Sequence, residues 1–476
     1  MVAEVKVSGW LLRTREDFTW WAQSCDVEIR MDEVISFVAN HMEDALSDLK
    51  RLVRVPSVAA EGKHMDEAAE LVAKMLEKAG MESKINPTDG APVVTASLDV
   101  GAKRTLLFYD HYDVQPAGPL ELWESGPFEP QVRDDRIYGR GVADNKGDLV
   151  SRIWAVRTLV EAGQTPPVNV RFVVEGEEEI SSPNLPGFVT ANRDFLRADG
   201  GIWEFGGEDM TGRQEAWLGL KGILYVQLEV DVLSHDAHSS LACVLPSAPY
   251  TLIRALESLK DENERILING FYDDVKPLTD AERKTIAAVD VHEDLIREHY
   301  GIDEFVRGFS GEALKEAYYG GPSCNICGIT TGYQGPGSMT VLPARATAKV
   351  DFRLVENQDP ETILQRLRKH LDSHGFQHVR IAWHEGYPAA KTPVDHPFVE
   401  VVSRATERAF GHRPVIHITS PGSGPLYLFK DLTPFVSVGC GDFNSRAHSP
   451  NESIKLENFR RSIVRAIVVM EELGRS

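Results

Sequence analysis

The sequence predicts an α/β protein whose catalytic-style domain is discontinuous, a mixed sheet flanked by helices, with a smaller α+β domain inserted into it. Three observations predict this. Between residues 31 and 218, short apolar runs alternate with amphipathic segments at helical spacing, the pattern of strands and helices layered on one sheet. From 219 to 385 the strands become longer and alternate apolar with polar side chains. From 386 to 476 the first style resumes, so the first domain closes only after the insert.

Residues 1–30 hold Trp10, Trp20 and Trp21 amid charges and lack the apolar run and cleavage site of a signal peptide. They read as an extra segment outside the fold. From Met31, Val34, Phe37, Val38, Met42, Leu46, Leu49, Leu52 and Val53 recur at helical spacing until Pro56 stops the run. Residues 65–80 form a second amphipathic helix ending at Gly80. Pro92–Leu98 and Arg104–Tyr109 are strand-like, and the second is continuously apolar after two residues, as a buried strand is. A helix over 147–163 ends at Gly163, and Val168–Val174 is another buried strand. In the insert, Ile223, Tyr225, Gln227, Glu229 and Asp231 alternate with Leu224, Val226, Leu228, Val230 and Val232, giving a half-exposed strand. Helices around 247–261 and 279–288, strands Cys324–Thr331 and Ala346–Leu354, helix Pro360–Gly375 and strand Val379–Trp383 complete it. Helix Pro397–Gly411, strand Phe435–Gly439 and helix Leu456–Gly474 close the chain.

The 476 residues are 42% hydrophobic, enough for full-sized cores in two or three domains. Acids outnumber bases 72 to 51, for a net charge of -21. That argues against nucleic acid and an anionic membrane surface as partners, since both need a basic patch. No apolar run approaches the roughly 18–20 residues of a membrane span. Cys25, Cys243, Cys324, Cys327 and Cys440 are too scattered for a disulfide framework, which points to a reducing cytoplasm. Cys324 and Cys327 lie in an apolar strand-like run without a second pair, so they read as structural.

Five segments carry candidate chemistry. His111 follows a buried strand directly and offers an imidazole nitrogen to a metal, while Asp113 can accept the other ring N–H. Asp144, in Gly139-Arg140-Gly141-Val142-Ala143-Asp144-Asn145-Lys146-Gly147, stands where a turn residue could simply cap the next helix. Glu175, Glu177, Glu178 and Glu179 crowd the end of a buried strand; a cation relieves their repulsion, and a crowded carboxylate can serve as a general base. The bland alternative there is a solvated loop. Glu204 sits among Ile202, Trp203 and Phe205, where an unpaired carboxylate costs several kcal/mol. His448 lies in Ser445-Arg446-Ala447-His448-Ser449-Pro450-Asn451-Glu452. Each is weak alone. Together, His111, Asp144, Glu179, Glu204 and His448 suit two Zn²⁺ ions with a bridging carboxylate, about 3.5–4 Å apart.

These motifs resemble the zinc metallopeptidase family that includes carnosinase-type dipeptidases, carboxypeptidase G, aminoacylase and succinyl-diaminopimelate desuccinylase. The resemblance runs from about Met31 to the C-terminus and is closest to the dipeptidase branch, through Trp123-Glu124-Ser125 and Phe352-Arg353-Leu354. It implies that Asp144 bridges two zincs (Mn²⁺ or Co²⁺ as substitutes), that Glu178 is the general base, and that Asp113 orients His111. It further implies that the insert is a lid and dimerisation domain. There His238, in Ser234-His235-Asp236-Ala237-His238-Ser239, stabilises the oxyanion from a partner subunit, and His235 matches nothing. Arg353 and Ser423 match residues near the substrate carboxylate. The activity implied is hydrolysis of dipeptides or short peptides with a free C-terminus; the alternative is an N-acyl amino-acid or succinyl-diaminopimelate deacylase. Glu204 is the Glu form of the terminal ligand, seen more among carboxypeptidases and deacylases. A metal-free scaffold protein on this fold predicts missing ligands. A serine hydrolase predicts a Gly-x-Ser-x-Gly elbow, which the sequence lacks.

Overall fold

The computed structural model describes residues 29–476. The expectation for residues 1–30 therefore lies outside the described residues, apart from Ile29 and Arg30, and so does Cys25. The chain first lays down β1 (Glu82–Asn86), β2 (Val93–Leu98), β3 (Thr105–His111), β4 (Asn169–Glu175), β5 (Gly200–Trp203) and β6 (Glu215–Trp217). The inserted stretch supplies β7 (Gly222–Asp231), β8 (Ser323–Thr331), β9 (Arg345–Leu354) and β10 (Arg380–Tyr387). The returning chain adds β11 (Val415–His417) and β12 (Phe435–Ser437). A mixed eight-stranded sheet runs in the order β1-β2-β4-β3-β5-β12-β6-β11. Its centre is parallel: β3 pairs with β4 and β5, and β5 with β12. β1, β2 and β4 pair antiparallel.

The helix Lys146–Glu161 packs on β3 and is covered by the helices Met42–Val53 and Leu456–Gly474. Everything from Lys146 to Leu159 is buried or nearly so, charged residues included. The Lys146 ammonium donates to the carbonyls of Leu52 at 3.1 Å and Val55 at 2.8 Å. Those carbonyls lie at and just past the end of the helix Met42–Val53, where the chain leaves the helical ladder. The apolar run from Met31 folds as two helices, Met31–Asn40 and Met42–Val53, rather than one. They break at His41 (φ -112°, ψ 17°), whose ring stacks on Phe37. Apolar spacing persists across such a break, because both helices bury the same side of the chain.

The second sheet is antiparallel, in the order β8-β9-β7-β10. Leu224, Val226, Leu228 and Val230 of β7 face a core beneath the helices Ala248–Glu257 and Pro360–Ser373. Cys324 joins that core, and Cys327 meets the Asp351 carboxylate at 2.9 Å. The alternate residues form the uncovered face, where Ile223 is flanked in register by Arg353 and Tyr387. The helices Asp280–Ala287, Glu293–Tyr300 and Gly311–Gly320 also lie within the inserted stretch, and only the first is legible in the apolar pattern. Ile286 and Tyr319 pack with Ile418 beside β11, and the Tyr319 hydroxyl shares a hydrogen bond with His417 Nδ1 at 2.5 Å. This segment therefore braces against the large sheet. No helix among the described residues is long and apolar enough to cross a membrane.

Candidate metal centre

The parallel strands β3, β4 and β5 end on the same side, where open α/β sheets place ligands. His111 is the last residue of β3 and is fully buried. Its Nδ1 faces the Asp113 carbonyl at 3.1 Å and the Asp113 carboxylate at 3.3 Å, leaving Nε2 toward Asp144. The same Asp113 carboxylate accepts the backbone N–H of Glu178 at 3.3 Å and of Glu179 at 3.0 Å. One side chain thus orients both the imidazole and the turn that carries the two acids after β4.

Asp144 does not cap the helix that follows it; Asn145 holds the cap position. Asp144 Oδ1 lies 3.0 Å from His111 Nε2, and Oδ2 lies 3.0 Å from His448 Nε2. The turn is shaped by the buried Glu452, whose Oε1 accepts the N–H groups of Gly141, Ala143 and Asp144 at 3.1, 2.8 and 3.1 Å. Arg140 neutralises its other oxygen at 2.6 Å. On one side of Asp144, His448 Nε2 is 3.1 Å from Glu179, and donor atoms of Asp144, Glu179 and His448 lie within 4.8 Å of one another. On the other side, Glu204 Oε2 is 3.9 Å from His111 Nε2. The indole of Trp203 fixes Glu204 Oε1 at 3.0 Å, and Gln115 donates to Glu179 Oε2 at 3.0 Å.

That leaves Glu179 Oε1 and Glu204 Oε2 buried without a hydrogen-bond partner among the described residues. Buried carboxylate oxygens cost free energy unless paired or metal-bound. Burial, then the Glu204 charge, pushes Glu178 well above the usual carboxylate range, and burial with the Asp144 charge does the same to Glu204. His448 is drawn up to about 10 by hydrogen bonds to Asp144 and Glu179. Burial pulls His111 down, but its bonds to Asp113 and Asp144 outweigh that and raise it. Burial likewise pushes Asp144 up, and His111 and His448 together bring it below its ordinary value. Crowded acids, unpaired oxygens and two imidazole nitrogens suit a divalent metal with mixed nitrogen and oxygen ligands.

The uncovered face of the second sheet contributes Arg353, which donates to Ser423 Oγ at 2.8 Å; Ser423 in turn donates to the Gly222 carbonyl at 3.2 Å. Gly424, the next residue, lies against the acids: a side chain there would come 3.7 Å from Glu178 Oε1 and 3.9 Å from Glu204 Oε1. Tyr387 stacks on Tyr427. Burial, then the Glu178 charge, raises its phenol above the usual value. His238 is exposed, with hydrogen bonds to Ser240 at 2.9 Å and Thr340 at 3.3 Å, both inside the inserted stretch. The structure thus gathers His111, Asp113, Asp144, Glu178, Glu179, Glu204 and His448, sets Arg353 with Ser423, and leaves His238 apart. Sequence reasoning missed Gln115, Asn145, Trp203 and Glu452 as supports. All four stand within or beside the segments that carry the candidate residues, but nothing in their residue types marked them as supports.

An acid–imidazole cluster at the C-terminal edge of a parallel core, with an arginine-bearing second sheet, defines the class as metal-dependent hydrolase. The chain belongs to peptidase family M20/M25/M40, whose signature matches residues 107–472, and it is a metallopeptidase. It is 28% identical over 482 residues to the Cys-Gly metallodipeptidase of Schizosaccharomyces pombe, covering 94% of this chain and 99% of that one. It is also 28% identical to the human Beta-Ala-His dipeptidase, over 77% of this chain and 75% of the relative. An M20 family metallo-carboxypeptidase from Sulfolobus solfataricus matches with a TM-score of 0.85 at 36% identity, covering 91% of this chain and 99% of that chain.

Proposed function

We propose that the protein is a dinuclear zinc dipeptidase that cleaves the peptide bond beside a free C-terminal carboxylate. The observation that carries this is Asp144: each of its oxygens faces a different imidazole, and a carboxylate, Glu179 or Glu204, stands on each side. His111, Asp144 and Glu204 would hold one zinc, and Asp144, Glu179 and His448 the other. Bound zinc supplies a Lewis acid and acidifies water toward neutral pH, and Mn²⁺ or Co²⁺ would substitute. Glu178 takes the proton of the attacking water and returns it to the leaving amine, since burial among like charges makes it a good proton holder. Arg353, steadied by Ser423, captures the substrate carboxylate with its planar fork. His238, from a second copy of the chain, donates to the developing oxyanion. The dipeptide class follows the Cys-Gly and Beta-Ala-His names of the relatives. The free cysteines Cys243, Cys324, Cys327 and Cys440 suit the cytoplasm.

The 36% identity to the Sulfolobus carboxypeptidase favours a second reading, release of the C-terminal residue from longer peptides by the same machinery. A panel of dipeptides, longer peptides, amidated dipeptides and acylated amino acids, run with Zn²⁺, Mn²⁺ or Co²⁺, separates the readings. Turnover of dipeptides and none of their amides is expected. Turnover of acylated amino acids alone would move the protein to the deacylases. Glu178→Gln is expected to lower kcat about a hundred- to ten-thousand-fold at unchanged zinc content. A fully active variant would remove Glu178 from the mechanism.

A further inference from the structure

Arg152 lies on the helix Lys146–Glu161, fully enclosed, and none of the assignments above uses it. Its guanidinium reaches the ends of three neighbouring strands at once. Nη1 donates to the Asp110 carboxylate at 2.6 Å and the Tyr109 carbonyl at 3.0 Å, both on β3. Nη2 donates to the carbonyls of Trp203 at 2.8 Å and Glu204 at 3.0 Å, at the end of β5, and of Val438 at 3.2 Å, just past β12. Buried carbonyls that run past the sheet ladder need donors. Neighbouring strands stand about 4.7–4.9 Å apart, a gap that one planar five-donor fork can bridge. A lysine ammonium is a single point and cannot reach all of them.

The acceptors identify what the fork controls. His111 follows Asp110 directly, and Glu204 is itself an acceptor. Asn145 repeats the connection from the next turn, donating to the Glu204 carbonyl at 2.6 Å and accepting the His111 N–H at 3.2 Å. The distance between His111 and Glu204 is thus set by shared donors. Arg152 and Asn145 donate to neither Glu179 nor His448: Glu179 hangs from Asp113, which it shares with His111, and from Gln115, and His448 from a loop after β12. In a buried ion pair such as Arg152–Asp110 desolvation offsets much of the attraction.

We infer that Arg152 is a positioning residue that holds the His111–Glu204 half of the metal centre in register, so that its loss empties that half first. The inference rests on the two-zinc reading above. The test is a zinc titration of metal-stripped protein, by calorimetry with elemental analysis, on the wild type, Arg152→Lys, Arg152→Gln and Arg465→Lys. Arg465 is a control of equal burial: it binds Gln214, Gly439 and Ser462 and reaches neither β3 nor β5. Wild type and Arg465→Lys are expected to take two zincs per chain. The Arg152 variants are expected to keep one at wild-type affinity and to bind the other about ten- to a hundred-fold more weakly. Their kcat should then recover as free zinc is raised. Two wild-type affinities in the Arg152 variants, or the same loss in Arg465→Lys, would overturn the inference. So would failure of both Arg152 variants to fold by circular dichroism, which would assign the residue to folding. One zinc or none on the wild type would instead bring down the two-zinc reading itself.

Discussion

Gly424 shows how the absence of a side chain leaves room beside the acids. Its backbone is extended (φ -168°), so any residue could adopt it, and the constraint is room. A Cβ would come 3.0 Å from Leu220 Cδ1 and would face the carboxylates of Glu178 and Glu204. Gly424→Ala is therefore expected to raise KM about ten-fold, with little change in melting temperature, because one added carbon in a pocket shifts binding by about 1–3 kcal/mol. Steady-state kinetics alongside a thermal melt checks this; an unchanged KM would place the substrate elsewhere. The residues that make up the acid–imidazole cluster were legible because each carries its chemistry in a single side chain, and acids and imidazoles gathered in short motifs after apolar runs are a rare combination. Apart from Asp113, their supports were not legible. Glu452 acts on Gly141 and Ala143, and Arg152 acts on Val438, across hundreds of residues of chain that only the fold brings together.

At the scale of elements, Lys221 caps a helix it does not belong to. Its ammonium donates to the carbonyls of Tyr318 and Gly321, both at 2.7 Å, closing the helix Gly311–Gly320 at the end where its dipole is negative. Burial, helped by the Arg353 charge, pulls its pKa down to about 8. Below that value both folded and unfolded chains hold the proton. Between about 8 and the unfolded value of about 10.4, only the unfolded chain does, so stability from this group rises with pH across that window. Urea unfolding at pH 7, 8.5 and 10 is expected to show a rise in wild type relative to Lys221→Met, of at most about 3 kcal/mol, with the variant less stable at every pH. Parallel curves would refute it. Long apolar elements such as Val168–Val174 and Leu456–Gly474 were legible almost to their ends, because burial on several sides leaves an unmistakable composition. The Gly200–Trp203 strand was legible only by its end, the apolar pair before Glu204: four residues, two of them glycine, carry no period. The helices Glu293–Tyr300 and Gly311–Gly320 are short and mostly exposed, so few of their residues are constrained to be apolar.

At the scale of the whole molecule, the role proposed for His238 calls for a second copy of the chain. The acid–imidazole cluster is carried by loops of the large sheet, whereas His238 stands exposed in the inserted stretch, with its hydrogen bonds made there. That stretch also presents an edge strand, β8, whose Ile326 and Ile329 are 44% and 49% exposed; apolar edges of this kind invite pairing with another chain. A twofold dimer would carry each His238 toward the other chain's metal centre, and complementation tests this directly. His238→Ala and Glu178→Gln are each expected to be nearly inactive alone. In a mixture, half the dimers are mixed, and each mixed dimer holds one intact site: the one whose Glu178 is native and whose His238 arrives from the other chain. An equimolar mixture with free subunit exchange should therefore recover about a quarter of wild-type activity. Recovery should fail if the chains are crosslinked as homodimers before mixing. No recovery, or a fully active His238→Ala variant, would mean that each chain completes its own site.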